Sequence, residues 1–355
     1  MTVSKKSKSN ILHLDIDAFI AKARNIIHEV YHNKTILSVP DFQTKTAAND
    51  QDYITKPLTP LYAWAGGKRR LIKAYRPYMP DFKRIRYYAE PFFGAGAMFC
   101  EVFNQHRANI KSYHLNDINP EIINLLNTIK TDCSGFVDEL KAIEERNHYK
   151  AIEERNHYKT IEGRKHFYYR LREEYRSLPV GGEYSVRGTA MFYFLLNNMF
   201  RGLYSQKNGR IFTSFQTNKN GFDYENIKNW STALQKAVIT CGSYEDVKVN
   251  KNTFLFCDPP YRDCSIMYST DFNDEQHKQC YAWVQKKVEE KKTVGMLCNK
   301  NLNDGFFSSL PTTTDSEHIN IQYSHTKARV GVNRNIVELL MVFKEKMAVP
   351  VLKAA

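Results

Sequence analysis

The sequence predicts an α/β protein built around a doubly wound, mostly parallel sheet. Between residues 86 and 120, a strand, a glycine-bearing turn, an apolar helix and a second strand ending on an acidic residue follow one another. A second alternation of strands and helix runs from about residue 237 to 343. The middle third reads as helices with one hairpin, an insertion between two halves of one sheet. Open sheets of this kind bind ligands at the carboxyl ends of their strands.

Residues 1–56 read as an N-terminal extension and linker. The basic tail Lys5-Lys6-Ser7-Lys8 leads into a helix expected from residue 11 to about 31, and the polar stretch 41–56 between Pro40 and Pro57 reads as the linker. Residues 57–130 form the first half of the sheet domain. Residues 86–90 read as a strand stopped by Pro91, Phe92-Phe93-Gly94-Ala95-Gly96 as the turn, and Ala97 as the start of a helix. A second strand at 112–115 runs into Asn116-Asp117, and Pro120 opens the next helix in its first turn.

Residues 131–236 form the insertion. Residues 141–159 contain a perfect nine-residue tandem repeat, Lys-Ala-Ile-Glu-Glu-Arg-Asn-His-Tyr, followed by a decayed copy. Nine residues advance a helix by about two and a half turns, so successive copies face opposite sides. A helix lengthened by duplication and lying largely in solvent is expected, with a functional repeat as the alternative. His148 and His157 are then repeat copies on an exposed helix. A helix from 189 to about 199 precedes a hairpin around Asn208-Gly209, a dipeptide that favours the tight turn between β-prone runs. Residues 237–348 complete the sheet with a strand near 237–240, a strand at 253–257, a helix at 274–291 and strands at 293–298 and 336–343. Residues 349–355 are a tail.

The composition narrows the function. Lys and Arg exceed Asp and Glu by 51 to 38, which suits a polyanionic partner through counterion release, although a basic surface serving only solubility reads the same way. No stretch reaches the length of a membrane span, and no apolar segment follows the basic N-terminus, so an intracellular, cytoplasmic protein is expected. The seven cysteines are scattered and never spaced Cys-x-x-Cys, which argues against a disulfide framework and against a zinc site; no metal is expected.

Asp258-Pro259-Pro260-Tyr261 is the sharpest chemical signal. Two prolines after an apolar strand stop the sheet and leave Pro259 with a carbonyl but no N–H. An aspartate acceptor, a rigid carbonyl acceptor and a tyrosine ring together can hold a planar heterocycle that bears an amino group. A Pro-Pro turn with a helix-capping aspartate is the plainer alternative. Gly66-Gly67-Lys68 lacks the upstream glycine of a P-loop, and Phe99 stands where a dinucleotide fingerprint has its third glycine.

Asp258-Pro259-Pro260-Tyr261 resembles the catalytic motif of amino-methyltransferases, and Glu90-Pro91-Phe92-Phe93-Gly94-Ala95-Gly96 is similar to their cofactor-binding motif. Trp64-Ala65-Gly66-Gly67-Lys68 resembles the N-terminal motif of the Dam-like (D12 class) DNA adenine N6-methyltransferases. Leu115-Asn116-Asp117-Ile118-Asn119-Pro120 resembles their ribose-binding segment. Phe194-Leu195-Leu196-Asn197-Asn198 and Gly202-Leu203-Tyr204 are similar to the family's approach to its DNA-reading hairpin. The motifs stand in family order over about residues 58–345.

The resemblance implies a Rossmann-like S-adenosylmethionine-dependent methyltransferase sheet with an inserted, mostly helical target-recognition domain carrying the hairpin. It implies Trp64, Lys68, Phe92, Gly94, Gly96, Asp117 and Asp258 around S-adenosylmethionine, with Asp117 on the ribose and Lys68 on the methionine carboxylate. The glycines would let the backbone approach the cofactor closely. Asp258, Pro259, Pro260 and Tyr261 would be catalytic. The implied reaction is direct displacement by an adenine amino nitrogen, on a base flipped out of double-stranded DNA. No Pro-Cys dipeptide of the cytosine-ring enzymes is present.

Arg201, Tyr204, Ser205, Lys207 and Arg210 are the expected DNA contacts. GATC readers of the family carry an arginine where this chain has Ser205, and an Asn-Val-Pro-Phe segment where it has Phe212-Thr213-Ser214-Phe215. Alternatives are methylation of RNA adenine, of cytosine N4 or of protein glutamine, or a non-catalytic DNA-binding protein that kept the fold. The cytosine and glutamine groups usually begin the motif with Ser or Asn, and a non-catalytic relative would be expected to lose Asp258, Tyr261 or Lys68. A monomer is expected; a partner restriction endonuclease is left open.

Overall fold

A computed structural model describes residues 54, 56–64, 66–153, 161–179, 185–207, 210–216, 221–262, 272–324 and 335–346, the side chains of 147–153, 323–324 and 335–336 excepted. The helix expected at 11–31, the Asn208-Gly209 turn and the tail 349–355 lie outside the described residues. The frame is one seven-stranded sheet in the order β5-β2-β1-β6-β7-β9-β8. The strands are β1 (Tyr87–Glu90), β2 (Ser112–Asp117), β5 (Ala237–Cys241), β6 (Thr253–Cys257), β7 (Val294–Lys300), β8 (Asp315–Ser324) and β9 (Asn335–Lys344). β1, β2, β5, β6 and β7 pair in parallel, while β9 lies antiparallel to both β7 and β8. All five residues of β6 are buried, as a central parallel strand covered on both faces requires.

The chain moves from β1 outward to β2 and later β5 on one side, then returns to lay β6 and β7 on the other. The order therefore reverses between β1 and β6. That switch point opens a crevice at the carboxyl ends of these strands.

Each strand hands over to a helix through local chemistry. Gly96 sits at φ +66° just before α1 (Ala97–His106), and a Cβ there would come within 2.5 Å of the Phe93 ring and 3.0 Å of Trp230. Asn119 caps α2 (Pro120–Thr131), its side chain accepting from the Glu121 N–H at 2.9 Å. The middle third supplies α3 (Cys133–Glu153), α4 (Ile161–Arg176), α5 (Val186–Asn197) and the two-residue strands β3 (Gln206–Lys207) and β4 (Arg210–Ile211), paired antiparallel. These helices share one apolar core with the first half of the sheet: Phe136, Phe167, Leu195, Leu126 and Phe99 belong to the same buried cluster. After them come α6 (Tyr224–Leu234) and, following β6, α7 (Asp274–Lys291), which opens with a reciprocal cap between Asn273 and Gln276.

Three sequence expectations change. The helix expected from residue 189 starts at Val186, because Ser185 caps it by accepting from the Gly188 N–H. The sheet has a strand the reading omitted, β8, whose ten residues all pair with β9. Finally, the first repeat copy is not a solvent helix. Ile143 is 2% exposed, the Tyr224 hydroxyl donates to Glu144, and Arg146 pairs with Glu174 at 3.3 Å.

Candidate active site

Three strand ends meet at the switch point. β1 runs out through Glu90 and Pro91 into the glycine turn, where Gly94 takes φ +53°. β2 ends on Asp117, whose Oδ2 accepts from the Gly94 N–H at 2.9 Å and whose Oδ1 accepts from the Asn119 N–H at 2.9 Å. Burial pushes the Asp117 carboxyl up, and these backbone donors oppose the push. Buried Asn116 knits the ends together: its amide donates to the carbonyls of Pro91 and Gly242 at 3.0 Å each, and its oxygen accepts from Thr240 at 2.8 Å.

β6 ends on Asp258. The Lys68 ammonium, on the turn Lys68–Arg70, contacts this carboxylate at 2.6 Å and donates to the Gly66 carbonyl at 2.9 Å. Lys68 is 4% exposed and Asp258 21%, so this is a buried pair with one side open. Burial works against the ammonium, but Asp258 and then Glu338 outweigh it and hold Lys68 above its ordinary value. Burial pushes Asp258 up while Lys68 pulls it down. The same Nζ lies 4.6 Å from the centroid of the Tyr261 ring. Next along the chain, Arg262 pairs with Asp274 at 2.8 Å and Asp304 at 2.6 Å and lies 3.8 Å from the Phe306 ring centroid, which staples the turn to α7.

A cavity of about 470 Å³ occupies the crevice, within the range of small-ligand sites. All seven residues expected around the cofactor line it, as do Asp258, Pro259, Pro260 and Tyr261. Trp64 stacks on Tyr204 at 5.1 Å, and Phe92 stacks on Tyr244 at 5.3 Å. One detail departs from expectation: the Cβ that Gly96 lacks would point into the core at Phe93 and Trp230, so close packing demands this glycine.

The hairpin divides into two groups. Tyr204, Ser205 and Gln206 line the cavity, and the hydroxyl of Tyr204 donates to buried Glu121 on α2, which also accepts from Tyr175 at 2.7 Å. Ser205 spends its hydroxyl on the Phe212 carbonyl at 2.7 Å. Arg210, expected at DNA, is 3% exposed; it donates to the Leu178 carbonyl and lies 5.3 Å from the Tyr175 ring centroid. A side chain so enclosed braces β4 against α4 and does not reach a surface. Arg201 and Lys207 are exposed. So is the Phe212 ring, ringed by Arg172, Arg176 and Lys207 at 4.7, 5.1 and 5.5 Å.

Sequence reasoning missed two buried acids. Glu90, 2% exposed, lines the cavity, its partners among the described residues being the Tyr88 hydroxyl (2.8 Å) and a backbone donor, and burial raises its carboxyl well above the usual range. Its place at the head of the glycine motif was the available signal. Glu338, fully buried on β9, accepts from the Tyr75 hydroxyl at 2.5 Å and from the Tyr261 hydroxyl; its other oxygen has no partner among the described residues.

A doubly wound sheet with an acid-tipped β2, a glycine turn after β1 and an Asp-Pro-Pro-Tyr turn after β6 defines an amino-methyltransferase. Comparison with known proteins makes this particular. The family model for D12 class N6 adenine-specific DNA methyltransferases matches residues 64–328, and the chain belongs to that family. It is 28% identical over 265 residues to the type II methyltransferase M.MjaIII of Methanocaldococcus jannaschii, covering 71% of this chain and 87% of that one. It is 26% identical over 284 residues to the DNA adenine methylase of Haemophilus influenzae, covering 78% and 87%. The protein is an adenine N6 DNA methyltransferase that uses S-adenosylmethionine.

Proposed function

We propose that this enzyme modifies adenine in duplex DNA from this single cavity, with S-adenosylmethionine held at the ends of β1 and β2 and the flipped-out base presented to the end of β6. The residues fit the cofactor. Each Asp117 oxygen accepts one backbone N–H and keeps acceptor capacity for ribose hydroxyls. Glu90 is a buried cavity acid without an ion pair among the described residues, a partner suited to the methionine ammonium. Trp64 and Phe92 offer rings beside it, and Lys68 offers a cation for the methionine carboxylate.

When bound, S-adenosylmethionine supplies an electrophilic methyl carbon. The chain's own residues act on the base. Asp258 and the Pro259 carbonyl accept the hydrogens of the exocyclic amine, favouring the charge that builds on nitrogen in the transition state. Tyr261 stacks on the base, and positioning supplies much of the remaining rate. Lys68 opposes the burial that pushes Asp258 up and holds its carboxyl in place at 2.6 Å before the base arrives. On the hairpin, Arg201 and Lys207 with the Phe212 cluster serve DNA contact, while Tyr204 and Arg210 brace the hairpin.

The observation that carries this reading is the Asp258 carboxylate, paired with Lys68 at 2.6 Å in the same cavity as Asp117. Asp258→Ala is expected to abolish methyl transfer in a folded protein; wild-type turnover would remove the mechanism. Asp117→Ala should weaken cofactor binding more than DNA binding, and equal losses in separate titrations would count against the ribose role.

A further inference from the structure

We propose that Glu338 is a positioning residue for methyl transfer: from strand β9 it holds the Tyr261 hydroxyl and so fixes the ring on which the target base stacks. This rests on the stacking role of Tyr261 proposed above.

Two segments converge on one carboxylate oxygen. Tyr75, from the turn Ile72–Tyr75 that follows the Lys68 segment, donates to Glu338 Oε1 at 2.5 Å. Tyr261, the last residue of the catalytic turn, donates to the same atom. Glu338 thus ties the Lys68-bearing segment and the Asp258-bearing turn to a rigid strand, which pairs with β7 and β8. The Tyr261 ring is held at its hydroxyl by Glu338, and the Lys68 ammonium lies 4.6 Å from its centroid.

The placement makes little sense for stability alone. Glu338 is fully buried, has no ion pair among the described residues, and leaves Oε2 without a partner among them. An isolated buried carboxylate opposes folding unless something else requires it. Its neighbours along the strand, Leu339, Leu340 and Met341, are the apolar residues that a core position calls for. Burial raises the Glu338 carboxyl, and the Lys68 ammonium opposes that rise. A residue that breaks the local pattern beside a catalytic turn marks a place where geometry outweighs stability.

The test is a double-mutant cycle between Glu338→Met, which keeps the length and removes the acceptor oxygens, and Tyr261→Phe, which cuts the same hydrogen bond from the other end. Each rate is measured per folded active site, with S-adenosylmethionine affinity titrated separately. Glu338→Met is expected to lower kcat by about tenfold with cofactor affinity unchanged, since a misplacement of 1 Å can cost about a hundredfold. In the Tyr261→Phe background the same change should cost less than about twofold, because the hydroxyl it holds is gone. Wild-type kcat in Glu338→Met, or an equal loss in both backgrounds, overturns the proposal. If Glu338→Met does not fold, Tyr261→Phe alone must show the fall in kcat, and wild-type kcat there overturns the proposal equally. Tyr261→Ala separates the two levels. If it is silent, the stacking role fails; if it is costly beside a silent Glu338→Met, only the role of Glu338 fails.

Discussion

Removing Asp258 should damage two things at once, and the two can be separated. Asp258→Ala leaves the Lys68 ammonium, 4% exposed, with the Gly66 carbonyl at 2.9 Å and no carboxylate in contact among the described residues. Stripping one partner from a buried pair costs about 3–5 kcal/mol in general. Asp258 is 21% exposed, so water reaches its side of the pair and the lower end applies, about 3 kcal/mol. Lys68→Met in the same chain removes the stranded charge, so the double variant should regain about 2 kcal/mol as a coupling between the sites. Activity should not return with it, because the acceptor for the amine is still missing. Urea denaturation of the four proteins, beside transfer of a labelled methyl group to DNA, reads both quantities. A coupling below about 0.5 kcal/mol would show that the pair does not stabilise the fold as argued. Methylation restored in the double variant would refute the role of Asp258.

Glu90 carries a pH dependence of definite sign. Its folded value is raised well above the ordinary 4.5, so the stability it contributes is present in acid and lost as pH climbs through the raised value. Glu90→Gln should therefore melt higher than wild type at pH 8, with a smaller gain at pH 5, and should bind S-adenosylmethionine more weakly; a gain that grows toward acid would reverse the argument. In-register deletion of residues 141–149 should retain methylation with a modest stability loss, because the next copy brings Ile152, Glu153 and Arg155 to the places of Ile143, Glu144 and Arg146. Complete inactivity of that deletion in a folded protein would assign the repeat to DNA binding. Ser205 spends its hydroxyl on the hairpin itself, so adenine should be modified in a context other than strict GATC, with discrimination at one base pair relaxed by roughly ten- to a hundredfold. Full protection of plasmid from a GATC-cutting, methylation-blocked nuclease, with long-read modification confined to GATC, would contradict this.

The parts of the fold legible in the sequence are those set by local chemistry. β6 and α7 lie where an apolar run, two prolines and a capping asparagine put them. β8 was legible and passed over: Ile319, Ile321 and Tyr323 alternate with His318, Asn320 and Gln322, the period of a half-buried strand. The site residues of the glycine turn and of Asp-Pro-Pro-Tyr could be named because each motif is contiguous. Glu338 could not, because it reaches Tyr261 across 77 residues through an antiparallel strand. Arg210 misled for a related reason. A cation on a hairpin reads as exposed until the Tyr175 ring and the Leu178 carbonyl, distant in sequence, enclose it.

The first repeat copy docks through Ile143, Glu144 and Arg146, and the next begins half a helical turn out of phase. A unit of this length cannot tile a surface, since every second copy turns its apolar residue away from whatever the first one met. Further copies would add reach, about 13–14 Å of helix each, without adding any layer to the protein. The domain is thereby insulated from changes in its own length at this point. The gene can gain or lose a nine-codon unit while identical residues continue to occupy the docking register.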